Sequence, residues 1–297
     1  MESQALAEGD VDRETRQALD RLRALLAEMG DAIVCYSGGV DSALVLAVAH
    51  EVLGDRAVGM TAVSPSLAPY EKEHAIAVAA QIGARHELVE SHEIDDPSYQ
   101  ANAPDRCFHC KSELYTVSSA KQKEWGIAHV LNGTNLDDLG DHRPGLEAAK
   151  QAGVRSVLVE AGFRKAHVRR AAEIMGLSIW DKPASACLSS RIPYGTQVTR
   201  ERLLQIGGLE AALRALGLRQ VRVRWHAVAP ASAGKESTPA IARIEVDGRE
   251  LPAAFEKRAA IAEAGHRFGF AYVTLDLDGY RRGSHNEVLV GRNLRVL

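Results

Sequence analysis

No stretch of this chain approaches the roughly 18 consecutive apolar residues that a membrane-spanning helix needs. Its first twenty residues, MESQALAEGDVDRETRQALD, are polar and acidic, the wrong composition for a secretory signal. Both absences lead to the expectation of a cytoplasmic protein. An excess of one charge is missing too. The 36 Lys and Arg against 39 Asp and Glu leave a formal net charge of -3, which gives no general attraction to nucleic acid or anionic lipid and leaves room only for a local basic patch. Internal repeats and low-complexity tails are lacking. Cysteine is scarce, with four in all, and in a reducing compartment these are not read as a disulfide framework.

What is present is an ordinary globular composition, 46% hydrophobic and 25% charged over 297 residues, a length that suits two domains. Leu19, Leu22, Leu25 and Leu26 share one face of a helix expected over 12–29. Apolar runs at 32–36, 57–63, 86–89 and 128–131 read as strands, and the segments 41–53, 69–82 and 105–125 between them read as helices. This alternation predicts an α/β domain over 1–195, a parallel sheet with helices on both faces and ligands at the carboxyl ends of its strands. Beyond 195 the rhythm changes. A helix starting at Thr196 or Thr199 and running to about 216, strands at 220–225, 240–246 and 271–277, and a helix over 252–268 predict a smaller α+β domain over 196–297. The stretch APASAGKESTP, 229–239, has loop composition.

The segment VCYSGGVDSALVLAVA, 34–49, breaks an apolar run with Ser-Gly-Gly and resumes at once as a helix. Gly38 and Gly39 let the backbone approach a ligand closely. The helix that follows turns its unpaired N–H groups and positive dipole end toward the same place, beside Ser37, Asp41 and Ser42, which makes an anion site. The Walker pattern GxxxxGK[ST] and the GxGxxG pattern are both absent. The plainer explanation is a strand-to-helix turn in which Ser and Asp act as caps. SGGxDS resembles the pyrophosphate loop of the PP-loop ATP pyrophosphatases, which split ATP into AMP and pyrophosphate and adenylylate a substrate.

Three thiols lie outside that loop. In DRCFHCKSELY, Cys107 and Cys110 stand three apart at a helix start, on one face. The third, Cys187, sits in the loop-like DKPASACLSSRIPYG. Three thiolates suit three irons of a [4Fe-4S] cluster with the fourth iron open. A zinc ion with His109 as fourth donor, or separate roles for packed thiols, are the alternatives. Cys35, inside an apolar strand, reads as a small core residue.

Together YSGGVDSALV, RCFHCKSELY, LNGTNLDDLGDHRPGL, GFRKAHVR and WDKPASACLSSRIPYG resemble the LarE family of ATP-dependent sulfur transferases. The likeness runs from about residue 15 to 200, and more weakly onward through VRVRWH and ARIEV. It implies conversion of pyridinium-3,5-biscarboxylic acid mononucleotide to the dithiocarboxylic form, a step toward the nickel-pincer nucleotide cofactor. ATP and Mg²⁺ activate a carboxylate as its adenylate, and sulfur displaces AMP. Some members sacrifice the sulfur of one cysteine, equivalent to Cys187. Others carry three cysteines and resemble cluster enzymes that pass on sulfide; this chain has all three and fits that second type.

The resemblance implies pyrophosphate binding by Ser37, Gly38, Gly39, Asp41 and Ser42, and adenine contact at Thr61, Ala62 and Val63. It implies a second nucleotide-facing loop at Gly133, Thr134, Asn135 and Asp138, and phosphate contact at Lys165. Asp141 and Arg143 are weaker candidates. A substrate carrying phosphate and carboxylates calls for arginine, so Arg191, Arg222 and Arg224 are expected to bind it, with Ser190 and Glu245; Arg222 and Arg224 share a strand face. The family analogy adds a sulfide donor as partner and homo-oligomeric assembly through the second domain. His285, Asp276 and Asp278 have ligand-like spacing better explained by an exposed turn. Trp125, Trp180 and Trp225 read as packing residues. The competing readings are a tRNA thiolase, which calls for a strong basic face or an RNA-binding module, an amide-forming synthetase of the NAD or GMP type, which calls for ammonia delivery, and a non-catalytic nucleotide sensor.

Overall fold

A computed structural model of the protein describes residues 2–140, 144–183, 185–228 and 239–281, the backbone alone at 2–10 and 144. Asp141, Arg143 and His285, and the 229–238 part of the stretch read as a loop, lie outside the described residues. None of the described helices is long and apolar enough to cross a membrane.

By contact the chain divides into two compact units, Met1–Tyr99 with Pro104–Ser185, and Gln100–Ala103 with Ala186–Leu297. The first contains α1 (Glu2–Met29), β1 (Ala32–Cys35), α2 (Val40–Leu53), β2 (Ala57–Val63), α3 (Pro69–Ile82), β3 (Arg85–Glu90) and all but the last residue of the short α4 (Pro97–Gln100). It continues with α5 (Arg106–Trp125), β4 (Val130–Leu131), α6 (Pro144–Gln151), α7 (Val157–Glu160) and α8 (Lys165–Ile174). Its four strands are parallel in the order β3-β2-β1-β4. Strands β1 and β2 are almost continuously apolar because helices cover both faces of a parallel sheet. Helix α2 is apolar nearly all round and buried over most of its length, as a helix packed on several sides must be. Leu19, Leu22 and Leu26 of α1 join the same core. The strand order turns back between β1 and β4, so their carboxyl ends flank a switch point of the kind where open α/β sheets bind ligands.

The second unit carries α9 (Arg200–Ala215), β5 (Val221–Ala227), β6 (Ala240–Val246), α10 (Leu251–Glu256), α11 (Arg258–Arg267) and β7 (Tyr272–Leu275). Strands β5 and β6 are antiparallel and β6 and β7 parallel, in the order β5-β6-β7. Thr199 caps α9, its hydroxyl accepting from the Arg202 N–H, so the helix starts at the later of the two threonines considered. Leu203, Ile206, Leu209 and Leu213 form its buried stripe.

Some expected elements differ in extent. The helix expected over 252–268 is two helices that meet at Lys257. The strand expected at 128–131 keeps only Val130 and Leu131, because the Ala128 N–H is taken by the Asp31 carboxylate. Strand β7 stops at Leu275, and the next residue, Asp276, pairs with Arg243. Trp225 is buried, with Nε1 donating to Gln205 Oε1 at 3.0 Å, and Trp125 is half-buried, but Trp180 is 41% exposed and is not a core residue.

Candidate functional site

The glycine loop joins β1 to α2. Gly38 has φ +71°, where glycine is favoured, and a Cβ built on it would stand 2.9 Å from the Ala75 Cβ. Gly39 is the N-cap of α2, and no side chain caps that end. The first N–H groups of the helix are therefore not taken by a side chain, as an anion site requires. Ser and Asp serve other purposes than capping. Ser42 Oγ accepts the Ser37 N–H at 3.1 Å, lies 3.1 Å from Ser37 Oγ and donates to the Gly39 carbonyl, also at 3.1 Å, tying the loop together.

Asp41 faces the loop after β4. Asn135 Nδ2 donates to Asp41 Oδ1 at 3.0 Å, and Lys165 Nζ to Oδ2 at 2.5 Å. Asn135 is itself set by the Asp138 carboxylate, which accepts its N–H at 3.1 Å, and Thr134 by Asn132 Oδ1 at 3.0 Å. Gly133 passes so close to α2 that a Cβ there would be 2.7 Å from the Ser42 nitrogen. Thus Ser37, Gly38, Gly39, Asp41, Ser42, Gly133, Thr134, Asn135, Asp138 and Lys165 all gather at the β1/β4 switch point. Asp137, which the sequence reading passed over, accepts the Lys165 N–H at 2.7 Å and an Arg164 hydrogen bond at 2.9 Å; these contacts hold its carboxyl below the usual range.

Thr61 is buried and directed inward. Its hydroxyl donates to the Tyr36 carbonyl at 2.7 Å and lies 2.8 Å from His86 Nε2, whose pKa burial lowers. Ala62 and Val63, half-buried, complete the carboxyl end of β2.

A further cation stands at the glycine loop. Lys182 Nζ donates to the Gly38 carbonyl at 3.2 Å, to Glu71 Oε2 at 2.7 Å and to His74 Nδ1 at 3.2 Å. Burial by itself would raise the Glu71 carboxyl, but hydrogen bonds from Lys182 and Ser185 outweigh it and hold the group below its usual range. The one available signal was Glu71 itself, an acid among the positions that α3 buries with Ala75, Val78 and Ala79.

Cys107, exposed, and Cys110, half-buried, lie on the first turn of α5. His109 stands between the Asp96 and Asp105 carboxylates, 3.7 Å from each. Cys187, exposed, caps a short 3-10 turn over Leu188–Arg191 in the second unit. None of the four cysteines forms a disulfide. By chemistry the three exposed or half-exposed thiols are soft donors of the kind iron binds. Among the described residues, however, no three His, Cys, Asp or Glu side chains gather closely enough to hold a metal ion.

In the second unit Arg191 has no side-chain exposure and pairs with Glu210, Nε to Oε1 at 2.9 Å and Nη2 to Oε2 at 3.3 Å. Its Nη1 donates to the carbonyls of Ala186 and Cys187 at 2.6 and 2.9 Å and to Ser190 Oγ at 2.9 Å. The Ser190 hydroxyl in turn donates to the Cys187 carbonyl at 2.8 Å. Arg222 and Arg224 share a face of β5 and oppose Glu245 and Arg243 on β6. Glu245 takes both prongs of Arg224 at 3.0 Å, and Arg224 Nη1 donates to the Ser190 carbonyl at 2.9 Å. Arg222 Nη1 donates to the Val221 carbonyl, and its guanidinium lies 5.3 Å over the Tyr280 ring. Arg243, Asp276 and His226 extend this charged face: Arg243 bridges Glu245 and Asp276 and donates from Nε to His226 Nε2 at 3.2 Å. His226 titrates below its usual range, chiefly through burial and then through Arg243.

A family model described as NAD synthase matches residues 15–114, which span the glycine loop and the first nine residues of α5. An uncharacterized protein of Synechocystis sp. is 45% identical over 273 residues, 91% of this chain and 97% of that protein. The pyridinium-3,5-bisthiocarboxylic acid mononucleotide synthase of Lactiplantibacillus plantarum is 36% identical over 274 residues, 92% of this chain and 95% of its own length. An uncharacterized protein of Methanocaldococcus jannaschii is 25% identical over 249 residues, 84% of this chain and 90% of that one.

Proposed function

The chain belongs to the LarE family of the PP-loop superfamily, and from that premise we propose that it inserts sulfur into pyridinium-3,5-biscarboxylic acid mononucleotide at the expense of ATP. The family supports an ATP-dependent enzyme that uses Mg²⁺. The observation that carries the proposal is the cradle in which Asp41, Asn135 and Lys165 lock the glycine loop against the loop after β4, on a chain alignable over nearly its full length with the Lactiplantibacillus plantarum synthase.

A carboxylate is a poor acyl donor because oxide would have to leave. In the proposed reaction a substrate carboxylate oxygen attacks the α-phosphorus of ATP, pyrophosphate leaves and an acyl-adenylate forms. The N–H groups at the start of α2 and the Lys165 ammonium hold the departing pyrophosphate, while the backbone of Thr61, with Ala62 and Val63, faces adenine. Arg222 and Arg224, with Ser190 and Glu245, orient the anionic substrate. Arg191 acts on the same step through the backbone of the Cys187 turn.

A sulfur nucleophile then attacks the acyl carbon and AMP departs with the bonding electrons. When Cys187 is the nucleophile, a thioester forms; loss of its α-proton and cleavage of its Cβ–S bond release the thiocarboxylate and leave dehydroalanine. A [4Fe-4S] cluster held by Cys107, Cys110 and Cys187 would instead supply an exchangeable sulfide and spare the protein. The presence of all three cysteines in the sequence is what supports this second source; the described residues do not bring three such side chains together around a metal ion. We place the enzyme in the cytoplasm as a homo-oligomer served by a separate sulfide donor.

Iron and sulfide analysis of protein purified without oxygen, repeated on Cys187→Ala, tests the supply. Stoichiometric iron and sulfide in the wild type, lost in the variant, support the cluster. Colourless protein whose Cys187 peptide loses the mass of hydrogen sulfide on turnover supports sacrifice instead. The match to the NAD synthase model favours one other reading, amide formation, and incorporation of ammonia in place of sulfur would establish it.

A further inference from the structure

We propose that Glu71 is a positioning residue that ties the segment leading to Cys187 to the glycine loop, so that nucleotide in the loop alters the reactivity of the Cys187 thiol. The inference rests on the nucleotide reading above and adds a coupling to it.

Both oxygens of one carboxylate are used. Oε2 accepts from Lys182 at 2.7 Å and Oε1 from the Ser185 hydroxyl. Lys182 and Ser185 bracket the approach to Cys187, which follows Ser185 by two residues. Glu71 keeps only 8% side-chain exposure, so little water competes for these bonds. Helix α3, which carries Glu71, is built onto the loop: the Tyr36 hydroxyl donates to the Ala75 carbonyl at 3.0 Å, and Gly38 packs where any Cβ would meet Ala75. Lys182 also donates to the Gly38 carbonyl itself. From the other side Arg169 holds the same segment by the carbonyls of Trp180 and Lys182, at 2.8 and 3.0 Å.

The Lys182 ammonium therefore has three acceptors, and one belongs to the loop that receives phosphate. An incoming pyrophosphate group adds a strong competitor for that cation. Any shift of Lys182 changes the carboxylate that it shares with Ser185, and the chain carries the change to Cys187.

The test is the rate at which iodoacetamide alkylates Cys187, read by peptide mass spectrometry, with and without a non-hydrolysable ATP analogue and Mg²⁺. In the wild-type chain the analogue should change the rate by about fivefold or more, the low end of ordinary coupling between sites. In Glu71→Gln the change should fall below about twofold while the analogue still binds. Alkylation of Cys107 and Cys110 should be the same in variant and wild type, a result that general loosening would not give. Ser185→Ala removes one arm and should give an intermediate response, which keeps the test valid if Glu71→Gln does not fold. A nucleotide-independent Cys187 rate in wild type that binds the analogue, or full dependence in the variants, would overturn the coupling alone. Failure of the wild type to bind the analogue would overturn the nucleotide reading and the coupling with it.

Discussion

Arg191 and Glu210 form an ion pair with no side-chain exposure on either partner, and the same guanidinium grips the carbonyls of Ala186 and Cys187. An arginine expected to bind substrate is thus also the brace of the turn that presents the thiol. Removing one member of a buried pair leaves the other charged and unmatched. Arg191→Met should cost about 3–5 kcal/mol of stability, read as a lower urea midpoint. Arg191→Lys should recover only part of it, because an ammonium cannot reproduce the fork; full recovery would refute the brace.

Gly133 is fixed by the approach of its loop to the start of α2. In Gly133→Ala the new methyl would stand 2.7 Å from the Ser42 nitrogen and 3.0 Å from the Asp41 carbonyl carbon, both backbone atoms that have no rotamer to yield. ATP-analogue binding should fall by at least about tenfold, a loss of some 1.4 kcal/mol, with the circular dichroism of the fold retained. Unchanged affinity would remove this loop from the nucleotide site.

Lys165 and Asp41 make a parallel case. Lys165→Ala removes the cation nearest the loop carboxylate, and substrate-dependent pyrophosphate release should drop by about a hundredfold or more. A variant as fast as wild type would show that Lys165 only caps the network.

The stability of the fold should decline on acidification. Burial is the largest cause of a lowered pKa at His74, His86 and His226. Below the ordinary value of 6.5 the unfolded chain binds protons that the folded imidazoles refuse, so stability is lost as the pH falls through that value. The Glu71 carboxyl, held below its ordinary 4.5, contributes above that value and loses its contribution as the pH falls through the lower folded value. Thermal melts from about pH 8 to about pH 4 should show Tm level at first and then falling; a Tm that rises on acidification would contradict these assignments.

The strands and the glycine loop were legible because apolar runs of strand length, punctuated by Ser-Gly-Gly, have few other structural solutions. Asn135 and Lys165 were legible as candidates, but their grip on Asp41 was not, since it spans 94 and 124 residues of chain. Arg191 is a different case. Arginine reads as a surface anion receptor, and only Glu210, an acid within the buried stripe of α9, signalled a buried partner. Glu71 left the same sign on α3. An acid placed among core positions was the pattern that single-residue propensities passed over. The break at Lys257 had no such mark, because neither glycine nor proline stands there.

The central claim is tested most directly by the product formed from ATP and pyridinium-3,5-biscarboxylic acid mononucleotide under oxygen-free conditions. The account predicts AMP and pyrophosphate in step with a product in which sulfur has replaced carboxylate oxygen. It predicts that Cys187→Ala still releases pyrophosphate but makes no sulfur-bearing product. Absence of substrate-dependent AMP, or a product that gains nitrogen and no sulfur, would contradict it.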